Sequence, residues 1–74
     1  MKLPRINGDK VIRTLKKAGF EVVHIRGSHH YLHHAERGFL VTVPVHSGQI
    51  VAPKTLQTIL SQAGLSPEEF RKLL

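Results

Sequence analysis

Six histidines stand in a chain of 74 residues, and four of them fall within Arg26-Gly27-Ser28-His29-His30-Tyr31-Leu32-His33-His34. The imidazole ring is the side chain best suited to exchange protons near neutral pH, as donor or acceptor. The chain has no cysteine, so neither disulfide nor thiolate–metal chemistry is available to it. The histidine spacing fits a metal ion poorly. His29 and His33 would share a face of a strand but stand about 13 Å apart, and adjacent histidines on a strand point to opposite faces. No carboxylate lies within the motif, so a zinc site would have to borrow His24 or His46. The expectation is proton-transfer chemistry without a metal or other cofactor.

Eleven Lys and Arg against five Asp and Glu give a formal net charge of +6. Such a surface suits an anionic partner, nucleic acid or an acidic protein, although charge also serves plain solubility. RNA suits a histidine site because it brings its own nucleophile. A base that removes the 2′-hydroxyl proton lets that oxygen attack the adjacent phosphate, leaving a cyclic phosphate and a free 5′-hydroxyl. Cations nearby would hold the phosphate and offset the charge that grows on it. Arg26 and Lys54 are candidates, as are the backbone N–H groups of Gly27 and Ser28. Lys10, Arg13, Lys16 and Lys17 could grip phosphates further along the strand.

Elements must position these groups. After a short basic lead over residues 1–6, Asn7 can cap a helix beginning at Gly8, with Ile6 and Val11 as a hydrophobic staple. Val11, Ile12, Leu15 and Ala18 form its apolar stripe, and Gly19 follows its end. Lys10, Arg13, Lys16 and Lys17 fall mostly off that stripe, where they equally suit a solvated face. Residues 20–26 read as a strand, Gly27-Ser28 as a two-residue type II′ turn, and residues 29–34 as a second strand. Residues 35–38 make a second turn, and residues 39–45 a third strand that Pro44 marks as an edge or exit. A loop over residues 46–52 leads to a helix with Pro53 in its first turn, a stripe of Leu56, Ile59, Leu60 and Ala63, and a stop at Gly64. Ser66 and Glu69 form a capping box for a short last helix with Pro67 at its first position. The order is helix, three-stranded antiparallel meander, helix, short helix: an α+β fold in one domain, residues 1–74.

The turn sets a register. Arg26 pairs with His29, His24 with Tyr31 and Val22 with His33; on the other face Ile25 pairs with His30, Val23 with Leu32 and Glu21 with His34. The second turn pairs His34 with Phe39, Leu32 with Val41 and His30 with Val43. One face would then carry Val23, Ile25, Leu32, Phe39, Val41 and Val43 against the helices. The other would carry His24, Arg26, His29, Tyr31, His33 and Thr42. His29 lies on the polar face opposite Pro44, within reach of His46 as a second proton carrier, while His30 leans to the apolar rim. His33 and His34 read as solvated strand residues, and His24 as a cross-strand partner of Tyr31. A domain this small buries only about 60% of its unfolded surface, so a site belongs on an open face. No apolar run approaches the ~20 residues of a membrane span and no signal-peptide pattern is evident, so the expected compartment is the cytoplasm.

Gly27-Ser28-His29-His30 resembles the G-S-H motif of the HicA toxins, also known as the YcfA-like family, of bacterial toxin–antitoxin modules. The similarity runs over nearly the whole chain. Residues 8–19 resemble the family's first helix, and Val43-Pro44-Val45-His46 its V-P-x-H segment. Pro53-Lys54-Thr55-Leu56, Ile59-Leu60 and Gln62-Ala63-Gly64 resemble its second helix, and Glu68-Glu69-Phe70 its tail. The resemblance implies a fold similar to the double-stranded-RNA-binding domain, α-β-β-β-α. It implies an endoribonuclease that cleaves mRNA, with a HicB antitoxin covering the active histidine in a heterotetramer or larger complex. Carried over, the motif places the catalytic residue at His29; relatives with the histidine one position later would point to His30. Two other readings fit the residues alone: a non-catalytic module that binds RNA by shape and phosphate contacts, and a basic domain that docks an acidic protein. Loss of RNA cleavage on replacing His29 separates the first from the nuclease, and steeply salt-dependent RNA binding argues against the second.

Overall fold

The computed structural model describes residues 3–74; Met1 and Lys2 of the basic lead lie outside the described residues. The element order is α1 (Gly8–Lys17), β1 (Phe20–Arg26), β2 (His29–His34), β3 (Leu40–Pro44), α2 (Pro53–Ala63) and α3 (Pro67–Leu73). The three strands form one antiparallel sheet in the order β1-β2-β3. This is the expected α+β architecture, the α-β-β-β-α arrangement of the double-stranded-RNA-binding domain with a short helix added.

Local chemistry starts each helix where the sequence indicates. The Asn7 side chain accepts from the Lys10 N–H at 2.9 Å, replacing a partner that the first turn of any helix lacks. Leu15 and Val11 from α1 are fully buried, as are Leu56 and Ala63 from α2. In α3 the Ser66 hydroxyl accepts from the Glu69 N–H while the Glu69 carboxylate accepts from the Ser66 N–H, closing the capping box. Phe70 is thereby carried into the core, where it is completely enclosed.

The helices cover one face of the sheet. That face presents Leu32, Val41 and Val43, all at 0% exposure, with Phe20 buried beside them. Phe39 and Val22 pack against the same cluster. At its far end α1 makes a close approach: a Cβ added at Gly8 would meet the Pro44 carbonyl oxygen at 2.6 Å, so only a glycine lets this helix start sit on the exit of β3. The Val51 N–H donating to the Ile6 carbonyl at 2.9 Å ties the 46–52 loop to the same corner.

The register agrees with expectation at the turn and departs from it further along β1. Arg26 pairs with His29, Ile25 with His30 and His24 with Tyr31, but the ladder then slips, and Val22 pairs with Leu32, Glu21 with His33 and Phe20 with His34. Val23 is the extra residue of a β-bulge. The expected pairs Val22–His33, Val23–Leu32 and Glu21–His34 are therefore corrected, and so is the placing of Val23 and Ile25 in the core, since they are 58% and 57% exposed. The cause lies in the side chains. Phe20 and Val22 share a parity with His24 and Arg26, so an unbroken strand facing His24 and Arg26 outward would also expose Phe20. One bulge lets both halves of the strand face correctly. The pairing of β2 with β3 is as expected, with Leu32 opposite Val41 and His30 opposite Val43.

Candidate active site

The site is built from the turn outward. Gly27 has φ +59° and Ser28 a negative φ, which fits the type II′ turn that the Gly-Ser order suggests and matches the twist of the flanking strands. That turn fixes which way His29 faces. His29, Tyr31 and His33 alternate with His30, Leu32 and His34; because Leu32 is buried under the helices, the first set lies on the side they leave bare. His29 is exposed there. It stands directly across from Arg26 on β1 and from Pro44 on β3, and such cross-strand partners have Cβ atoms about 5 Å apart.

His30 is placed differently. It is half-buried at the rim of the covered face, between Ile25 and Val43. Its Nδ1 lies 3.4 Å from the Ser28 carbonyl oxygen, so the ring leans back on the turn.

Beyond Pro44 the chain bends at His46–Gln49, where the Gln49 N–H donates to the His46 carbonyl at 2.9 Å. His46 is exposed. With Pro44, Gln49, Ile50, Val51, Ala52 and Thr55 it lines a depression of about 250 Å³ between the exit of β3 and the start of α2. His29 and His46 thus belong to the same end of the sheet. Ala52 gives α2 no side-chain cap, which leaves the partially positive N–H groups of that first turn facing the same corner. Lys54 is exposed in this turn.

Four other cations are not brought to this end. Lys10, Arg13, Lys16 and Lys17 are exposed on α1, which lies on the covered side of the sheet, across it from His29. Lys10, Arg13 and Lys17 line a separate depression with Thr14 and Leu74. Lys16 lines another beside Gly19 and Phe20. Arg26 and these four helix cations therefore lie on different layers of the molecule.

The remaining histidines have structural surroundings. His34, expected in solvent, is half-buried and packs edge-on against Phe20, with ring centroids 5.2 Å apart at 80°. Its Nδ1 accepts from the Arg37 N–H at 3.2 Å and so braces the second turn. The slip at Val23 is what brings Phe20 opposite it. His33 is half-buried on the bare face. His24 meets Tyr31 across the strands as expected, with centroids 5.6 Å apart. Among the described residues no three His, Asp or Glu side chains converge as a metal site would require.

The sequence model of the family described as the HicA toxin of bacterial toxin–antitoxin matches residues 8–65. The chain belongs to the HicA toxin family. No curated protein matches it at a significant level. Membership makes it the toxin side of a bacterial toxin–antitoxin pair and implies an antitoxin as partner. The matched span starts with the first residue of α1 and ends just past α2, so it takes in the turn, the whole sheet and the His46 corner of this HicA domain. No helix among the described residues is long and apolar enough to cross a membrane.

Proposed function

We propose that this HicA toxin is a cytoplasmic endoribonuclease that cuts mRNA and thereby inhibits translation. In this reading residues 1–74 act as one domain, and a HicB-type antitoxin neutralises it by covering the active histidine in a heterotetramer or larger complex. The observation that carries the reading is the setting of His29: exposed, on the bare face, directly across from Arg26.

His29 removes the proton from a ribose 2′-hydroxyl. The oxygen attacks the neighbouring phosphorus, the bond to the 5′-oxygen breaks, and the products are a 2′,3′-cyclic phosphate and a 5′-hydroxyl. His46 returns a proton to the departing 5′-oxygen. Arg26 and the turn amides at Gly27 and Ser28 hold the phosphate while charge builds on it, and Lys54 extends the cationic rim. No step needs a metal ion, so cleavage is expected to continue in EDTA; loss that zinc restores would overturn that part. The helix cations Lys10, Arg13, Lys16 and Lys17 would hold flanking phosphates rather than the one being cut.

The test is a purified protein incubated with a defined RNA. His29→Ala is expected to lower cleavage by about 10²- to 10⁴-fold, the usual range for a lost general base, while the thermal melt stays within about 0.5 kcal/mol of the parent, as for other exposed substitutions. His30→Ala is expected to retain activity. Cleavage that survives both replacements would sink the histidine mechanism, and a parent protein that leaves the RNA intact would sink the nuclease reading.

A further inference from the structure

The geometry points to His24 and Tyr31 as a stacking platform for the base of a single-stranded RNA, one step along the sheet from the phosphate that His29 and Arg26 would hold. The inference rests on the nuclease reading above and names its substrate class: single-stranded rather than duplex RNA.

The aromatic residues of the chain are divided between the two faces of the sheet. Its three phenylalanines all go to the covered side: Phe20 and Phe70 are buried, and Phe39 packs against the core cluster. Its one tyrosine goes to the other face. There Tyr31 lies between His24 on β1 and Thr42 on β3. The His24 and Tyr31 rings are 5.6 Å apart and inclined by 36°, closer to stacked than to edge-on. His24 is exposed and Tyr31 half-buried, so the pair is open to solvent on the face that carries His29.

Its position relative to the candidate site is set by the ladder. The pair Arg26–His29 and the pair His24–Tyr31 lie on the same face with one residue between them on each strand. Two residues of strand span roughly 7 Å, on the order of one nucleotide step in an extended single strand. The bulge begins only beyond His24, so it does not disturb this spacing. A phosphate held by Arg26 therefore leaves the adjoining base over Tyr31 and His24. Bare sheet faces with aromatic residues flanked by cations bind single strands by stacking, because every base offers a π-face. A duplex keeps its bases paired inside and cannot use such a surface.

A simpler role for the pair is cross-strand stabilisation of the sheet. The two roles differ in what an RNA does to them. The chain has one tyrosine and no tryptophan, so tyrosine fluorescence reports Tyr31 alone. The experiment uses the full chain carrying His29→Ala, which keeps the RNA intact, titrated with a single-stranded oligouridine and with a blunt duplex of equal length. The single strand is expected to quench the tyrosine signal and the duplex to leave it unchanged. Tyr31→Ala should weaken single-strand binding about ten-fold, Tyr31→Phe should leave it within about two-fold, and neither should alter duplex binding. Tyrosine emission unmoved at saturating single strand would overturn the platform, and that measurement requires no Tyr31 variant to fold. Equal binding of the single strand by Tyr31→Ala would also overturn it, and would reassign the face if the same change weakened a protein partner. Cleavage by the parent enzyme without quenching removes the platform alone; quenching without cleavage removes the nuclease reading alone.

Discussion

The two faces of β2 differ in what covers them, and the difference separates the histidines that pack from those on the open face. His30, Leu32 and His34 look toward the helices: Leu32 is enclosed by the core, His34 braces the second turn and His30 leans on the first. His29, Tyr31 and His33 look the other way, where no helix lies. Alternation along one short strand thus gives the same residue type two kinds of surroundings, and counting histidines would not reveal it.

The largest effect that could break this comparison is on stability. Leu32→Ala removes a fully buried side chain at the centre of the covered face, where such truncations cost about 2–5 kcal/mol. That is a large share of what a domain of this size can hold. His24→Ala, at an exposed site on the bare face, is expected to stay within about 0.5 kcal/mol. Urea melts of both variants decide the matter. A His24 variant as unstable as the Leu32 variant would mean that the bare face is buried in solution, by a second copy or some other partner.

The next effect sharpens the comparison at the bulge. Val22 packs on the core and Val23 is the exposed extra residue. Val22→Ala should cost about 1–2 kcal/mol, as a partly buried deletion, and Val23→Ala no more than about 0.5 kcal/mol. The unbroken ladder that the turn alone suggests predicts the reverse order, so these two melts distinguish the two registers directly.

How much was legible follows from how local each signal is. The caps at Asn7 and at Ser66–Glu69, the stops at Gly19 and Gly64 and the turn at Gly27-Ser28 are written within a few residues, and each stands where it was expected. The β2–β3 register was legible because both turns and the apolar positions agree. The lower half of β1 departs from expectation because a turn fixes register only as far as the first bulge, here at Val23. Phe20 and Val22 carry the contrary signal, apolar residues in phase with His24 and Arg26, but the apolar Val23 and Ile25 offer an equally good stripe in the other phase. The outward placing of His29 survives because it lies on the turn side of the slip. The separation of Lys10, Arg13, Lys16 and Lys17 from His29 is implied by any register that puts α1 on the apolar face; net charge, having no direction, hides it.

The smallest effect concerns how firmly the covered face stays covered. Phe70 closes the core from α3, a helix of seven residues, too short to be stable without its capping and packing. The Ser66 N–H and, to a lesser degree, the Ser66 hydroxyl favour the charged Glu69 carboxylate and hold its pKa below the ordinary 4.5. Folded protein therefore binds this proton less readily than unfolded protein does. The contribution is fully present above that ordinary value and is lost as pH falls through the lower folded one. Glu69→Gln keeps an acceptor for the Ser66 N–H but removes the charge. The parent should be the more stable of the two at neutral pH, and the gap should close as the solution is acidified below the ordinary carboxylate range, with amide exchange rising first in α3. A gap that persists unchanged down to about pH 3 would show that the charge at Glu69 does not hold the helix in place. The bare face has no part in this cap, so acid that loosens α3 should leave the His24–Tyr31 pairing across the strands intact.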